Sequence, residues 1–142
     1  MRVVLDVNVW ISGWLWKGVP GEIIILAQNR EITVFASAEL LEELEATLRR
    51  DKLQSRIELV GANVDNLMLK TRQLSQPCQA SFIEVPQQLR DPDDAIILAT
   101  ASAANAEAIV TGDLDLLTLN EFEGIPILKP IDFLSRYFPI VP

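Results

Sequence analysis

Residues 2–8 read RVVLDVN, and this stretch decides the class of fold. Residues 3–5 form an uninterrupted, mostly β-branched apolar run, which is typical of a strand buried on both faces of a parallel sheet. Asp6 follows at the carboxyl end of that strand, where open α/β sheets bind their ligands. An alternative is a turn aspartate followed by Asn8 as a helix cap, and this stretch alone favours neither interpretation.

The composition limits the chemistry that is open to the chain. Its 142 residues fit one domain, and a hydrophobic content of 49% favours a packed core. The absence of histidine excludes Ser-His-Asp and Cys-His catalysis and the usual zinc sites. The single cysteine, Cys78, cannot form an internal disulfide and fits a reducing compartment. Acid–base or metal chemistry must therefore rest on carboxylates.

The net charge of −8 argues against a simple nucleic-acid binder, which should show a basic face. It suits a protein that gathers carboxylates around hard divalent cations, one that binds a basic partner, or one that is merely soluble. No apolar run reaches the ~18 residues of a membrane span, and no signal-peptide pattern is present. We therefore expect a cytoplasmic protein without a membrane partner.

The alternation of elements predicts a three-layer α/β/α sandwich with a central, mainly parallel sheet. We expect one domain over residues 1–138 and a frayed tail over 139–142. Besides the first strand, strands are predicted at 32–36, 82–85, 108–111 and 125–128, a turn at 18–21, and helices at 9–17, 22–30, 38–50, 52–60, 64–74, from 92 onward, 116–119 and 131–138.

The densest acidic signal is DPDD at residues 91–94. Pro92 suits the first turn of a helix with Asp91 as its N-cap, so capping accounts for Asp91 and Asp93. Asp94 differs because its neighbours three, four and seven positions on are apolar, which places it on an inward face. A charge there is costly unless it is paired or bound to metal, which favours a functional Asp94.

A second strand also ends in carboxylates, because residues 108–111 (AIVT) are followed by GDLD. Asp113 should therefore share one sheet edge with Asp6, and the helix that carries Asp94 should begin at the same edge. Clustered carboxylates repel one another, and Mg²⁺ or Mn²⁺ relieves that repulsion. Two such ions about 4 Å apart can activate water in phosphodiester hydrolysis.

Four stretches, taken in order, resemble the motifs of the PIN-domain ribonuclease family, and in particular the VapC-like toxins of bacterial type II toxin–antitoxin pairs. They are LDVN at 5–8, SAELLEEL at 37–44, DPDD at 91–94 and VTGDLD at 110–115. The resemblance implies a Rossmann-like PIN fold, RNA cleavage with Mg²⁺ or Mn²⁺, an antitoxin partner and a homodimer.

The resemblance also implies site residues. The family's acidic quartet matches Asp6, Glu43, Asp94 and Asp113; the metal ligands match Asp6, Asp94, Asp113 and Asp115; and supporting polar residues match Asn8 and Thr111. Glu43 is preferred to Glu42 because it lies six residues after Ser37 and precedes a leucine, although a shift of one residue is open. Val7 replaces a threonine that is frequent in the family, which costs a hydroxyl and no metal ligand.

The sequence alone leaves three interpretations open. Lys17 and Arg90, with Arg49 and Arg50, are weak candidates for holding RNA phosphates, because an ordinary surface charge is the favoured interpretation of each. The tryptophan-rich segment 9–17 favours core or subunit packing over base stacking. The alternative function is a non-catalytic PIN-fold module that acts through protein–protein binding. A P-loop and a GxGxxG motif are both absent, which argues against nucleotide binding.

Overall fold

Within residues 1–140, the part of the chain described by this computed structural model, six strands form one sheet. Five strands are parallel, and the short β5 is antiparallel to its neighbour β6. In spatial order they are β3 (Ser75–Pro77), β2 (Thr33–Ala36), β1 (Arg2–Leu5), β4 (Ala108–Val110), β6 (Ile125–Leu128) and β5 (Glu121–Phe122). The first strand thus lies inside the sheet, as its apolar run predicts.

Helices flank the sheet, so the three-layer α/β/α architecture is confirmed. The described helices are α1 (Val7–Leu15), α2 (Gly18–Gln28), α3 (Ala38–Leu48), α4 (Asp51–Leu59), α5 (Val64–Leu74), α6 (Pro92–Ala103), α7 (Leu114–Leu117) and α8 (Pro130–Tyr137). None of the helices within residues 1–140 combines the length and apolar character needed to cross a bilayer.

The register of the central strands sets the position of the acidic residues. Leu5 at the end of β1 lies opposite Val110 at the end of β4, and both side chains are fully buried. The next residues, Asp6 and Thr111, therefore leave the sheet side by side. Because parallel strands end at one edge, the two apolar runs place their following polar residues together.

The predicted turn at 18–21 is wrong, because α2 already begins at Gly18. The chain reverses at Lys17, whose φ of 61° lies in the left-handed region. Gly13 serves the packing of α1 on α2: a Cβ built there would clash with Cδ1 of Ile24 and would lie 3.1 Å from the carbonyl oxygen of Pro20. The glycines of this region let two helices approach closely and do not mark a loop.

The predicted strand at 82–85 is also wrong, because residues 78–91 contain neither helix nor strand. The sheet edge is already occupied by β3, which pairs with β2 directly after α5 ends. Phe82 is fully exposed, and the segment is tied to α6 by a hydrogen bond from the amide of Ser81 to the carbonyl of Ala99. Segment 82–85 pairs with no strand of the sheet, so it has no ladder hydrogen bonds.

The chain terminus is described only in part. Pro139 and Ile140 are exposed and lie outside any helix or strand, and the remainder of the predicted tail, residues 141–142, lies outside the described residues. The domain limit at residue 138 therefore stays a prediction.

Candidate metal centre

Asp6 is held at the point where β1 ends beside β4. Its amide donates a 2.9 Å hydrogen bond to the carbonyl of Val110, and only 8% of the residue is exposed. One carboxylate oxygen, Oδ1, accepts from the amide of Val7 at 2.7 Å, and the other, Oδ2, accepts from the hydroxyl of Thr111 at 2.6 Å. Burial raises the pKa of the Asp6 carboxyl, and these two hydrogen bonds oppose that rise.

Thr111 connects two acidic residues. Its buried hydroxyl donates to Asp6 and accepts from the amide of Asp113 at 3.0 Å. Because one oxygen carries out both functions, the position of the Asp6 carboxylate is fixed relative to the backbone of Asp113. Thr111 is therefore placed to support the cluster.

Asp94 enters the cluster from the first turn of α6. The sequence-based capping prediction for this helix is confirmed: Pro92 stands in the first turn, and Asp91 accepts a 2.9 Å hydrogen bond from the amide of Asp93. Asp94 is only 5% exposed, and its Oδ2 has no hydrogen-bond partner among the described residues. Burial, together with the adjacent carboxylate of Asp113, raises the pKa of Asp94 to about 8.

Asp113 and Asp115 stand at the start of α7. Asp113 caps this short helix by accepting a 2.9 Å hydrogen bond from the amide of Asp115. One carboxylate oxygen from each of Asp94, Asp113 and Asp115 lies within 4.8 Å of the other two. Ionised carboxylates at that spacing repel one another, and the charge of Asp113 contributes to the raised pKa of Asp94.

These residues fit a hard divalent cation. All the donors are oxygen atoms, which is the ligand set that Mg²⁺ and Mn²⁺ prefer. A cation would supply the missing partner of Oδ2 of Asp94 and would balance the charges of Asp113 and Asp115.

Glu43 reaches the same cleft from α3. Ser37 caps this helix through its hydroxyl, and a buried 2.7 Å hydrogen bond between the hydroxyls of Ser37 and Thr100 ties α3 to α6. Burial, with the neighbouring charges of Asp93 and Asp6, raises the pKa of Glu43 to about 7. Glu42 is exposed and lines a different groove. The geometry therefore places Glu43, and not Glu42, with the other acids.

Together these elements form an acidic cleft of about 190 Å³. Its lining residues are Asp6, Val7, Asn8, Glu43, Thr47, Arg50, Asp91, Asp93, Asp94 and Asp113. Asp115 is exposed and joins the cluster at its rim, through its proximity to Asp94 and Asp113.

A family model described as the PIN domain matches residues 2–115, which include the whole of this cleft. The chain belongs to the PIN domain family. Its fold is similar to that of a chain in the crystal structure of VapBC2 from Rickettsia felis bound to a DNA fragment from their promoter. The TM-score is 0.57 at 14% identity, and the alignment covers 89% of this chain and 97% of that chain. No curated protein matches the sequence significantly.

The basic residues predicted to bind RNA phosphates lie only partly in the cleft of this PIN domain. Lys17 and Arg90 do not line it; Lys17 lines a groove between α1 and α2. Arg50, a weak candidate from the sequence, does line the cleft. Thr47 also lines it, and the sequence did not predict this residue. Asp93 was explained by capping alone, yet it lies beside Glu43. The only sequence signal for Asp93 was its place within DPDD.

Proposed function

We propose that this PIN domain is a metal-dependent endoribonuclease that hydrolyses RNA phosphodiester bonds. The observation that carries the proposal is the unpartnered, buried Oδ2 of Asp94 beside the carboxylates of Asp113 and Asp115. Without a cation, Asp94 meets the carboxylate of Asp113 as a protonated acid, which its raised pKa reflects. A bound cation replaces that proton and supplies the positive charge that the acidic chain lacks.

The proposed ligands for Mg²⁺ or Mn²⁺ are Asp6, Asp94 and Asp113, with Asp115 at the rim. When bound, such ions lower the pKa of water and neutralise charge on a phosphate group. The chain itself holds the ligands in place: Thr111 and the amide of Val7 fix both oxygens of Asp6.

Glu43 faces these ligands from α3 and is proposed to orient the attacking water through its carboxylate. Asn8 lies exposed in the lining of the cleft and offers an amide group that can donate a hydrogen bond to a phosphate oxygen. The buried inner end of the cleft, where Asp6 and Asp94 lie, limits the access of bulk water to the reacting atoms.

We further propose that the protein is the toxin of a type II toxin–antitoxin pair. Support comes from the ordered resemblance of its motifs to VapC-like toxins and from the similarity of its fold to a chain of the VapBC2 structure. An antitoxin protein is then the expected partner, and co-expression with the product of an adjacent gene should abolish RNA cleavage if that product is the antitoxin.

A homodimer remains part of the proposal on the family resemblance. The tryptophans of α1 support it little, because Trp10 is fully buried and Trp14 donates a 3.0 Å hydrogen bond to Thr71 of the same chain. Trp16, 53% exposed, lies under the guanidinium of Arg56. Light scattering after gel filtration would give the number of subunits directly.

The deciding experiment is RNA cleavage by purified protein with Mn²⁺, Mg²⁺ or EDTA, beside an Asp6→Asn variant. A matched control is Glu31→Gln, which removes an exposed acid outside the cleft. Metal-dependent cleavage by the wild type and the control, lost in Asp6→Asn, is the expected result. A wild type that neither binds metal nor cleaves RNA would contradict the proposal and favour a non-catalytic module that binds a protein.

A further inference from the structure

Among the residues that the structure describes, Arg50 is the one basic residue in the lining of the acidic cleft. Six carboxyl groups share that lining with it, from Asp6, Glu43, Asp91, Asp93, Asp94 and Asp113. Bound cations would neutralise part of this charge at the inner end. An RNA strand extends beyond the scissile phosphate, and its flanking phosphates also need positive charge. Arg50 is the residue of the described lining that can supply such a charge.

The backbone of Arg50 is fixed inside the turn between α3 and α4. Its amide donates to the carbonyl of Thr47 at 3.1 Å, and its carbonyl accepts from the amide of Leu53 and from the side chain of Gln54, both at 3.0 Å. Gln54 also donates to the carbonyl of Leu48 at 2.9 Å, which braces the same turn. Both backbone polar groups are thus engaged, and the side chain remains to contact a ligand.

The adjacent Arg49 is in the opposite situation. It forms ion pairs with Glu45 at 3.2 Å and with Asp65 at 2.9 Å, in a groove that does not include the acidic cleft. Within residues 1–140, the guanidinium of Arg50 takes part in no ion pair or hydrogen bond. Of these two consecutive arginines, Arg49 has its ion-pair partners within the protein, whereas Arg50 has none among the described residues.

We infer that Arg50 binds a phosphate group of the RNA strand as it enters the acidic cleft. The planar guanidinium can donate two parallel hydrogen bonds to phosphate oxygens, which a lysine ammonium cannot do. This inference rests on the proposed nuclease function and adds a substrate contact to it.

The test compares Arg50→Gln and Arg50→Lys with wild type, and uses Arg49→Gln as the matched control. Cleavage of a single-stranded RNA with Mn²⁺ gives kcat and KM. Fluorescence anisotropy gives RNA affinity over a range of salt concentrations with Ca²⁺ in place of Mn²⁺, and a gel confirms that the RNA stays intact. Calorimetric titration gives the affinity for Mn²⁺ alone.

In Arg50→Gln, RNA affinity should fall about tenfold at moderate salt, with a higher KM and a smaller change in kcat. The slope of log affinity against log salt should become shallower by about 0.7, the value for one lost phosphate contact on a single strand. Mn²⁺ affinity should not fall, because removal of a cation beside carboxylates does not weaken their attraction for metal. Arg50→Lys should keep the salt slope and recover only part of the affinity.

Three results would overturn the inference. If wild type cleaves RNA and Arg50→Gln matches Arg49→Gln in KM and salt slope, Arg50 is not a phosphate contact, and the nuclease proposal stands. If Arg50→Gln loses Mn²⁺ affinity in proportion to RNA affinity, its effect acts through the metal site. If wild type neither binds nor cleaves RNA with any of the metals, the proposed function fails and this contact fails with it.

Discussion

The hydroxyl of Thr111 donates a 2.6 Å hydrogen bond to Oδ2 of Asp6, a residue 105 positions earlier in the chain. The same oxygen accepts from the amide of Asp113 at 3.0 Å. A single buried hydroxyl thus joins the ends of β1 and β4 and orients the first proposed ligand. This pair of hydrogen bonds fixes Asp6 relative to Asp113 within the acidic cleft. Its contribution can be tested by replacing the hydroxyl group of Thr111.

Thr111→Val should reduce both stability and Mn²⁺ affinity. The variant keeps the shape of the side chain but leaves the amide of Asp113 and Oδ2 of Asp6 without their partner, at a cost of about 1–3 kcal/mol. The pKa of Asp6 should rise further, because the hydrogen bond from Thr111 lowers it. Urea unfolding and calorimetric titration measure the two effects. Thr111→Ser, which keeps the hydroxyl, should lie near wild type, and an equal loss in both variants would argue against this explanation.

The metal-free protein should become less stable as the pH rises from about 4 to 8. Asp94 has its pKa raised from the ordinary 3.8 to about 8, so over that interval the folded state binds more protons than the unfolded state. The free energy of unfolding then falls with increasing pH. The pKa of Glu43, raised to about 7, acts in the same direction. Thermal melting in EDTA across this range measures the slope.

Asp94→Asn provides the control for that slope. The amide cannot ionise, so the decline in melting temperature towards pH 8 should be smaller than in wild type. A variant that declines as steeply as wild type would show that Asp94 does not cause the effect. The corresponding variant of an exposed acid, Asp132→Asn on α8, should leave the slope unchanged.

Mn²⁺ should reverse the loss of stability at high pH. The ligands must be deprotonated to bind metal, so the melting temperature should rise more on addition of Mn²⁺ at pH 8 than at pH 5.5. At a free metal concentration 100 times Kd, the expected stabilisation is about 2.7 kcal/mol. Asp113→Asn should lose most of this response. An equal response at both pH values would show that proton release is not coupled to binding.

Glu42 and Glu43 form a matched pair of adjacent acids on one helix. Glu43 lines the acidic cleft and Glu42 lines the groove beside Arg49, so only Glu43 is placed to orient water. Glu43→Gln should lower kcat by roughly 10²-fold or more, whereas Glu42→Gln should stay within about twofold of wild type because a surface charge contributes little. Steady-state cleavage of one RNA by both variants checks this, and a larger defect in Glu42→Gln would reverse the assignment.

The parts of the fold that could be predicted are those encoded in local patterns. The buried strands that end at Asp6 and Thr111 are continuous apolar runs, and the helix that carries Asp94 has a strong N-cap and a proline in its first turn. Each of these signals needs only neighbouring residues. Segment 82–85 is a weaker signal, because Glu84 interrupts its apolar residues, and the place beside β2 is taken by β3 instead.

The composition of the cleft could be predicted only in part for the same reason. The choice between Glu42 and Glu43 depends on how α3 is rotated against α6, which helical periodicity alone does not give. The presence of Arg50 depends on the turn between two helices, and that of Asp93 on an approach to Glu43 from another element. Such contacts join distant residues, so a local pattern does not contain them.

The separation of β1 from β4 along the chain has a consequence for how the protein is made. Asp6 leaves the ribosome early, but Thr111 and Asp113, which complete its surroundings, follow more than a hundred residues later. A nascent chain that lacks Ala108–Val110 has no strand on that side of β1 and no acidic cleft. The proposed nuclease site therefore cannot form before Asp113 has been synthesised.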